Sequence, residues 1–366
     1  MAKCPYFGQC SGCQLQHVEY GKQLEQKKQA VARATGISDV KIFSGPEYGY
    51  RNRMDFMFHA AGLGFRRKDE PSQIVDVSEC PIANKRINEL LGELRAFFVK
   101  NDAFDLRRRT GTLRYAVIRA PENNSSISFV LNEESQKLGE AVEKIQEFAQ
   151  KTTAGSVVVA YVPPDVEESI SAEFYFEKGE EMLTERYISS EFIYPLQGFF
   201  QNNHEMAEKM QHYVNELFRA YDTSNAHLLD MYSGVGTFGI INAELFKDVI
   251  MIENYAPSIE AANKNIEKNG INNAKATVLD AKKLKRLNLE QPLFVITDPP
   301  RSGMDMETIA ELNKLKPKAI IYISCNLQQL AKDIPKFKGH TVKSAALFDM
   351  FPHTNHSEAV VELVMR

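Results

Sequence analysis

No stretch of the 366 residues approaches the run of about 20 apolar positions that a membrane-crossing helix needs, so no such span is expected. The opening Met1-Ala-Lys-Cys-Pro5 lacks the apolar core of a secretory leader and the Arg/Ser-rich character of a transit peptide, and the expectation is a cytoplasmic protein. Charge of one sign is also missing: 44 Lys and Arg stand against 48 Asp and Glu, a formal net charge of -4. That excludes a surface that coats nucleic acid generally, and any nucleic-acid partner must meet a local basic patch. Internal repeats and low-complexity segments are absent. Cysteine is scarce, five in all, and in a cytosolic chain spaced cysteines bind metal or do chemistry more often than they form disulfides.

Those five fall into two groups. Cys4, Cys10, Cys13 and Cys80 have the spacing of a four-thiolate metal site, which suits tetrahedral zinc and a [4Fe-4S] cluster alike. Cys325 stands alone at the end of the apolar run Ala319-Ile-Ile-Tyr-Ile-Ser-Cys325. It is a candidate nucleophile, because thiolate is the strongest nucleophile a side chain offers near neutral pH; the plain alternative is a buried core cysteine.

Three regions follow from the patterning. Residues 1–36 hold the cysteine loop and a helix from about Gln16, with Gly36 as its stop. Residues 37–190 alternate apolar and polar at period two, as in Arg53-Met-Asp-Phe-Met-Phe58, with helices near 83–99 and 138–150, which predicts an antiparallel α+β domain. Residues 191–366 switch to strands separated by helices, the mark of a parallel, doubly wound α/β sheet. The basic residues cluster in the middle region: Arg51, Arg53, Arg66, Arg67, Lys68, Arg107, Arg108, Arg109, Arg114 and Arg119, interleaved with Tyr50, Phe56, Phe58, Phe65 and Tyr115. Arginine forks beside aromatic faces are what single-stranded RNA recognition uses; a solvated strand face over packed aromatics is the alternative.

In the last region Ala226-His-Leu-Leu-Asp-Met-Tyr232 reads as a buried strand running into the glycine turn Ser233-Gly-Val-Gly-Thr-Phe-Gly239, where a backbone can approach a ligand closely. The next strand, Asp248–Glu253, ends in a carboxylate suited to ribose hydroxyls, so a nucleoside-containing cofactor is expected. Gly234, Gly236 and Gly239 also fit the dinucleotide spacing, which leaves NAD open. Asp230, placed to meet an amino group, and Asp280, placed for an adenine, favour S-adenosylmethionine. Asp298-Pro-Pro-Arg301 then caps a fourth strand with a proline-stiffened segment, and strand ends in such sheets converge on one crevice, so Asp298 and Cys325 should face the same ligand.

Taken together, Asp230-Met-Tyr-Ser-Gly-Val-Gly236, Asp298-Pro-Pro-Arg-Ser-Gly303, Ser324-Cys-Asn326 and Phe348-Asp-Met-Phe-Pro-His-Thr-Asn-His-Ser-Glu358 resemble the RNA uracil-C5 methyltransferase family. Cys13-Gln-Leu-Gln-His17 with Tyr20, Gln23, Leu24 and Lys27 is similar to the opening of its iron-sulfur branch. With no β-barrel domain before Cys4, the chain resembles the shorter bacterial enzymes. The resemblance implies a Rossmann-like methyltransferase domain, an antiparallel α+β RNA-binding domain and an N-terminal iron-sulfur segment. It implies S-adenosyl-L-methionine as methyl donor, a [4Fe-4S] cluster on Cys4, Cys10, Cys13 and Cys80, and 5-methyluridine in RNA as product. By its pattern Cys325 adds to uracil C6 and Glu358 removes the C5 proton, while Gln201, Tyr232, Thr237, Glu253, Asp280 and Asp298 bind the cofactor. Thr237 stands where many relatives carry Asn. The implied substrate is 23S rRNA, with tRNA as the alternative and no obligate protein partner. A non-catalytic iron-sulfur RNA-binding or redox-sensing module on the same fold is the reading from another class.

Overall fold

The computed structural model describes residues 3–366. The chain runs α1 (Tyr20–Thr35), β1 (Val40–Phe43), β2 (Arg53–His59), β3 (Gly62–Arg66), β4 (Ile74–Asp76), α2 (Lys85–Phe97), β5 (Leu113–Arg119), β6 (Ser126–Asn132), α3 (Leu138–Lys151), β7 (Ser156–Val162) and β8 (Phe174–Lys178). It continues through β9 (Met182–Tyr187), β10 (Ser190–Pro195), α4 (His204–Arg219), β11 (His227–Met231), α5 (Thr237–Asn242), β12 (Asp248–Glu253), α6 (Ala256–Lys268) and β13 (Ala274–Val278). Then come β14 (Leu293–Thr297), α7 (Met306–Leu315), β15 (Ala319–Ser324), α8 (Leu327–Asp333), β16 (His340–Phe348) and β17 (Glu358–Met365). Among the described residues no helix is long and apolar enough to cross a membrane.

Two compact units emerge, residues 1–19 with 46–184 and residues 20–45 with 185–366. The divisions expected near 36 and 190 fall at 19 and 184, and α1 with β1 goes to the second unit. In the first unit a seven-stranded sheet has the order β4-β3-β2-β5-β6-β7-β8. Its core is the inward face of β2, β5 and β6 against α2 and α3, with Phe58, Phe98, Phe129 and Phe148 in mutual ring contact. The sheet is mixed, not purely antiparallel as expected, because β6 and β7 pair parallel: the 14-residue helix α3 between them supplies the crossover that parallel neighbours need.

In the second unit the sheet order is β1-β16-β17-β15-β14-β11-β12-β13. Strands β11 to β15 are parallel; β17 lies between β15 and β16, antiparallel to both, and β1 joins the β16 edge in parallel. From β11 the chain builds outward to β12 and β13 on one side, then to β14 and β15 on the other. That reversal opens a crevice at the strands' carboxyl ends, where this fold binds ligands.

Candidate functional site

The glycine turn is a demand of local geometry. Gly234 and Gly236 take φ of 52° and 87°, and a Cβ on Gly239 would meet Met251 Sδ at 2.5 Å. Tyr232, immediately after β11, is held at φ 60°, a cost of about 1–3 kcal/mol for a non-glycine residue that is found most often at functional sites. Asp230 is 1% exposed, and its Oδ2 accepts the Gly239 amide at 2.9 Å. It ties the strand to the turn. Burial, with the charges of Asp298 and Glu253 adding to it, pushes Asp230 up to about 8, against the stabilising pull of that amide.

In front of the turn lies a cleft with about 500 Å³ of empty space, open solvent at its mouth included. Gln201, Tyr232, Thr237 and Asp298 line it, joined by Phe199, Phe200 and Gln211, which the sequence did not single out. Phe200 stacks on Tyr194 at 4.1 Å between ring centres, whereas Phe199 is 63% exposed. Gln211 Nε2 donates to Thr237 Oγ1 at 3.0 Å, so the threonine hydroxyl is oriented by a neighbour on α4. Glu253 and Asp280 are not among the lining residues. Glu253 accepts the amides of Gly234, Asn254 and Tyr255, and Asp280 that of Lys282.

Beside this cleft stand Cys325 and Glu358. Ser324 of β15 pairs with Ala359 of β17, so Cys325, which follows Ser324, and Glu358, which precedes Ala359, emerge from the same end of that strand pair, close enough for the Glu358 charge to act on the thiol. Glu358 is 6% exposed, at the first position of β17 and not in solvent. Its burial, reinforced by the charge of Asp298, holds its carboxyl well above the usual range, and Arg301 opposes the rise. Asp298 is raised by burial too, although part of its surface stays open to the cleft. The Cys325 thiol is raised by burial and by the Glu358 and Asp298 charges, with the charge and hydrogen bond of Arg301 pulling it down. Arg301 Nη2 also donates to His356 Nδ1 at 2.9 Å. A nucleophile, a buried carboxyl able to take a proton and a cation serving both are thus assembled at the crevice.

In the first unit the cysteine loop docks by its backbone on the turn after β3: Ser11 donates to Arg66 O at 3.1 Å, and Lys68 to Gln9 O at 2.7 Å. Among the described residues no group of three or more His, Cys, Asp or Glu has metal-binding geometry. The four thiols are nevertheless neighbours. Burial raises each, Cys10 to about 11 and Cys80 to about 12, and the charges of neighbouring cysteines raise Cys10, Cys13 and Cys80 further. Backbone amides point at the sulfurs: Tyr6 and Phe7 at Cys4, Gly12 at Cys10, Ile82 and Ala83 at Cys80. That donor set suits a group that keeps thiolates ionised.

The expected RNA face is smaller than its composition promised. Phe56 and Phe58 are core residues, and Tyr50 and Tyr115 are buried, so none offers a stacking face. Arg53 spans both oxygens of Asp55, Arg66 pairs with Glu167, and the buried Arg114 donates to the carbonyls of Pro163 and Val166. The turn carrying Arg107, Arg108 and Arg109 stays exposed together with Lys68, with Arg107 paired to Glu70 and donating to Ser72 Oγ at 3.0 Å.

The tRNA (Uracil-5-)-methyltransferase family matches residues 19–366. A tRNA (uracil(54)-C(5))-methyltransferase of Pyrococcus horikoshii is 33% identical over 367 residues, spanning 100% of this chain and 86% of the relative. An uncharacterized RNA methyltransferase of Caldanaerobacter subterraneus subsp. tengcongensis is 32% identical over 376 residues, 98% of this chain and 83% of its own length. The crystal structure of Pyrococcus abyssi tRNA (uracil-54, C5)-methyltransferase in complex with S-adenosyl-L-homocysteine superposes with a TM-score of 0.81 at 30% identity, covering 97% of this chain and 86% of that one. With the match running nearly end to end, the chain belongs to the RNA uracil-5-methyltransferase family.

Proposed function

We propose that the protein transfers a methyl group from S-adenosyl-L-methionine to C5 of a uracil in RNA, giving 5-methyluridine. The observation that carries this reading is that Cys325 and Glu358 flank the last recorded rung of the β15–β17 pair, Ser324 with Ala359, and that the thiol feels the charges of both Glu358 and Asp298, which lines the cleft. Uracil C5 is a poor nucleophile, so the Cys325 thiolate first bonds to C6 and the electron pair moves to C5. C5 then takes the electrophilic methyl group that the donor supplies, leaving S-adenosylhomocysteine. Glu358 as carboxylate removes the C5 proton, the C6–S bond breaks, and the thiolate is returned. Arg301 favours both deprotonated forms and orients the ring.

The cleft's charge discriminates between cofactors. The carboxyl of Asp298 in the cleft, with Glu253 at the end of the neighbouring strand β12, disfavours the diphosphate of NAD and favours a sulfonium cation. Gln201, Tyr232, Thr237 and Asp298 are the contacts of the donor within the cleft, and Glu253 and Asp280, at the ends of neighbouring strands, serve its ribose and adenine. The relatives whose names state a substrate act on position 54 of tRNA, which moves the reading from ribosomal towards transfer RNA. Cys4, Cys10, Cys13 and Cys80 would hold a [4Fe-4S] cluster in preference to zinc, supported by their converging amide donors, with a structural role; iron content and visible absorbance of anaerobically purified protein test it.

RNA containing 5-fluorouracil tests the chemistry, since fluorine at C5 cannot leave as a proton. With donor present, wild type should form a complex that survives a denaturing gel, more with tRNA than with 23S rRNA fragments, and Cys325→Ala should form none. A complex undiminished by Cys325→Ala, or none in wild type, overturns the mechanism; preference for the 23S fragments restores the ribosomal substrate.

A further inference from the structure

Helix α1 turns an unusual stripe into its own unit. Tyr20, Gln23 and Lys27 follow the spacing of one helical face, yet Gln23 is 0% and Lys27 4% exposed, where apolar side chains would ordinarily pack. All three reach the loop 349–357 that joins β16 to β17. Tyr20 Oη donates to Asp349 Oδ2 at 2.8 Å, and Lys27 Nζ donates to Asp349 Oδ1 at 2.6 Å and to Phe351 O at 3.0 Å. Gln23 grips His353 twice: its Oε1 accepts the His353 amide at 3.0 Å, and its Nε2 donates to Nδ1 at 3.2 Å. His353 has φ 66°, a conformation a histidine keeps only when its surroundings impose it.

Stability does not account for this stripe, because a buried ion pair exchanged for well-packed apolar groups is often neutral or stabilising. The loop's position does. Its flanking residues are Phe348 and Glu358, which pair with each other across β16 and β17. Its His356 holds Arg301, and Asn203 Nδ2 fixes it from another side by donating to Met350 O at 3.0 Å. We infer that Tyr20, Gln23 and Lys27 are positioning residues for the reaction. Through Asp349 and His353 they hold the loop that aims the Glu358 carboxylate and, by way of His356, the Arg301 guanidinium at Cys325. The inference rests on the methyl-transfer reading above.

The test uses the full chain with Tyr20→Phe, Gln23→Met and the paired exchange Lys27→Met with Asp349→Leu, which keeps the site apolar and packed. Gln26→Ala, on the exposed side of the helix, is the control, and Glu358→Gln is the reference for lost proton removal. Turnover on tRNA should fall by about 10- to 100-fold in the positioning variants, the scale set by a displacement of about 1 Å. KM for the methyl donor and the urea midpoint should stay where they are. As in Glu358→Gln, a denaturation-resistant adduct with ordinary uracil RNA should accumulate, because removal of the C5 proton has become the slow step. A fall in turnover matched by a fall in folded fraction without adduct, or no fall at all, overturns the inference. An adduct in Glu358→Gln but in none of the α1 variants also overturns it, while the chemistry stands. Failure of both Glu358→Gln and the fluorinated RNA to trap protein overturns the methyl-transfer reading itself.

Discussion

Replacing Asp230 by Asn should change the stability of the protein in a way that reverses sign with pH. In the folded state this buried carboxyl titrates at about 8, against 3.8 for an ordinary aspartate. Its pKa is raised by folding, so the contribution is intact below about pH 4 and is lost as pH climbs through about 8, where the unfolded chain ionises freely and the folded one resists. Each pH unit in that window is worth about 1.4 kcal/mol, so the wild-type penalty approaches roughly 6 kcal/mol above pH 8. The asparagine cannot ionise and keeps an oxygen for the Gly239 amide. Its added NH2 group enters a site built for a carboxyl, at a cost of about 1–3 kcal/mol. The ionisation penalty overtakes that cost between about pH 4.5 and about pH 6, roughly one to two pH units above the ordinary value. Urea unfolding across about pH 4 to about pH 9, without cofactor, should show the variant weaker than wild type at the acid end and stronger by roughly 3 kcal/mol or more at the alkaline end. A difference between the two proteins that stays constant with pH would refute the reasoning, since it would mean that Asp230 is ionised in the fold throughout.

Turnover should rise with pH from neutral to alkaline conditions, because Cys325 and Glu358 both titrate above their ordinary values and both must lose a proton; Arg301→Gln should move the rise further alkaline, and a shift towards acid contradicts the role given to Arg301. Gln211→Ala removes the donor that orients Thr237 and should weaken binding of S-adenosylhomocysteine by about 1 kcal/mol, roughly fivefold, by calorimetry; unchanged affinity separates Thr237 from the cofactor. Asn88 clamps Cys80 through its backbone, accepting the amide at 2.9 Å and donating to the carbonyl at 3.1 Å. Asn88→Ala should lower iron content in anaerobic preparations, and full occupancy would show that Cys80 needs no such clamp.

The strands β11, β12, β14 and β15 and the glycine turn were legible because each is a local pattern: an apolar run, a punctuating glycine or proline, a polar residue at the strand end. The expected strand 248–253 is β12 to the residue. What escaped depends on partners far along the chain. Strand β1 has only four residues, and its place in the second unit comes from Val40 pairing with Ala345, which no periodicity near residue 40 records. The arginines of the middle region read as an RNA face because sequence shows their number and not their partners; Asp55 two residues on already occupies Arg53. Glu358 could be placed at a strand start, but its burial follows from β17 lying between two neighbours. Gln23 and Lys27 stood in the motif that resembled the iron-sulfur branch, and only the fold connects them to His353 and Asp349.

The pairing of β15 with β17 acts as a ruler. From Ala319 with Val364 to Ser324 with Ala359, the rungs set by backbone hydrogen bonds where Glu358 enters the sheet relative to the end of β15, from which Cys325 follows, whatever apolar side chains decorate them. A slip of one rung would turn Glu358 to the opposite side of the sheet, away from the sulfur. Substitution among the valines and isoleucines of these strands should therefore be broadly tolerated, while insertion or loss of a single residue between Ala359 and Val364 should silence the enzyme even where the protein still folds.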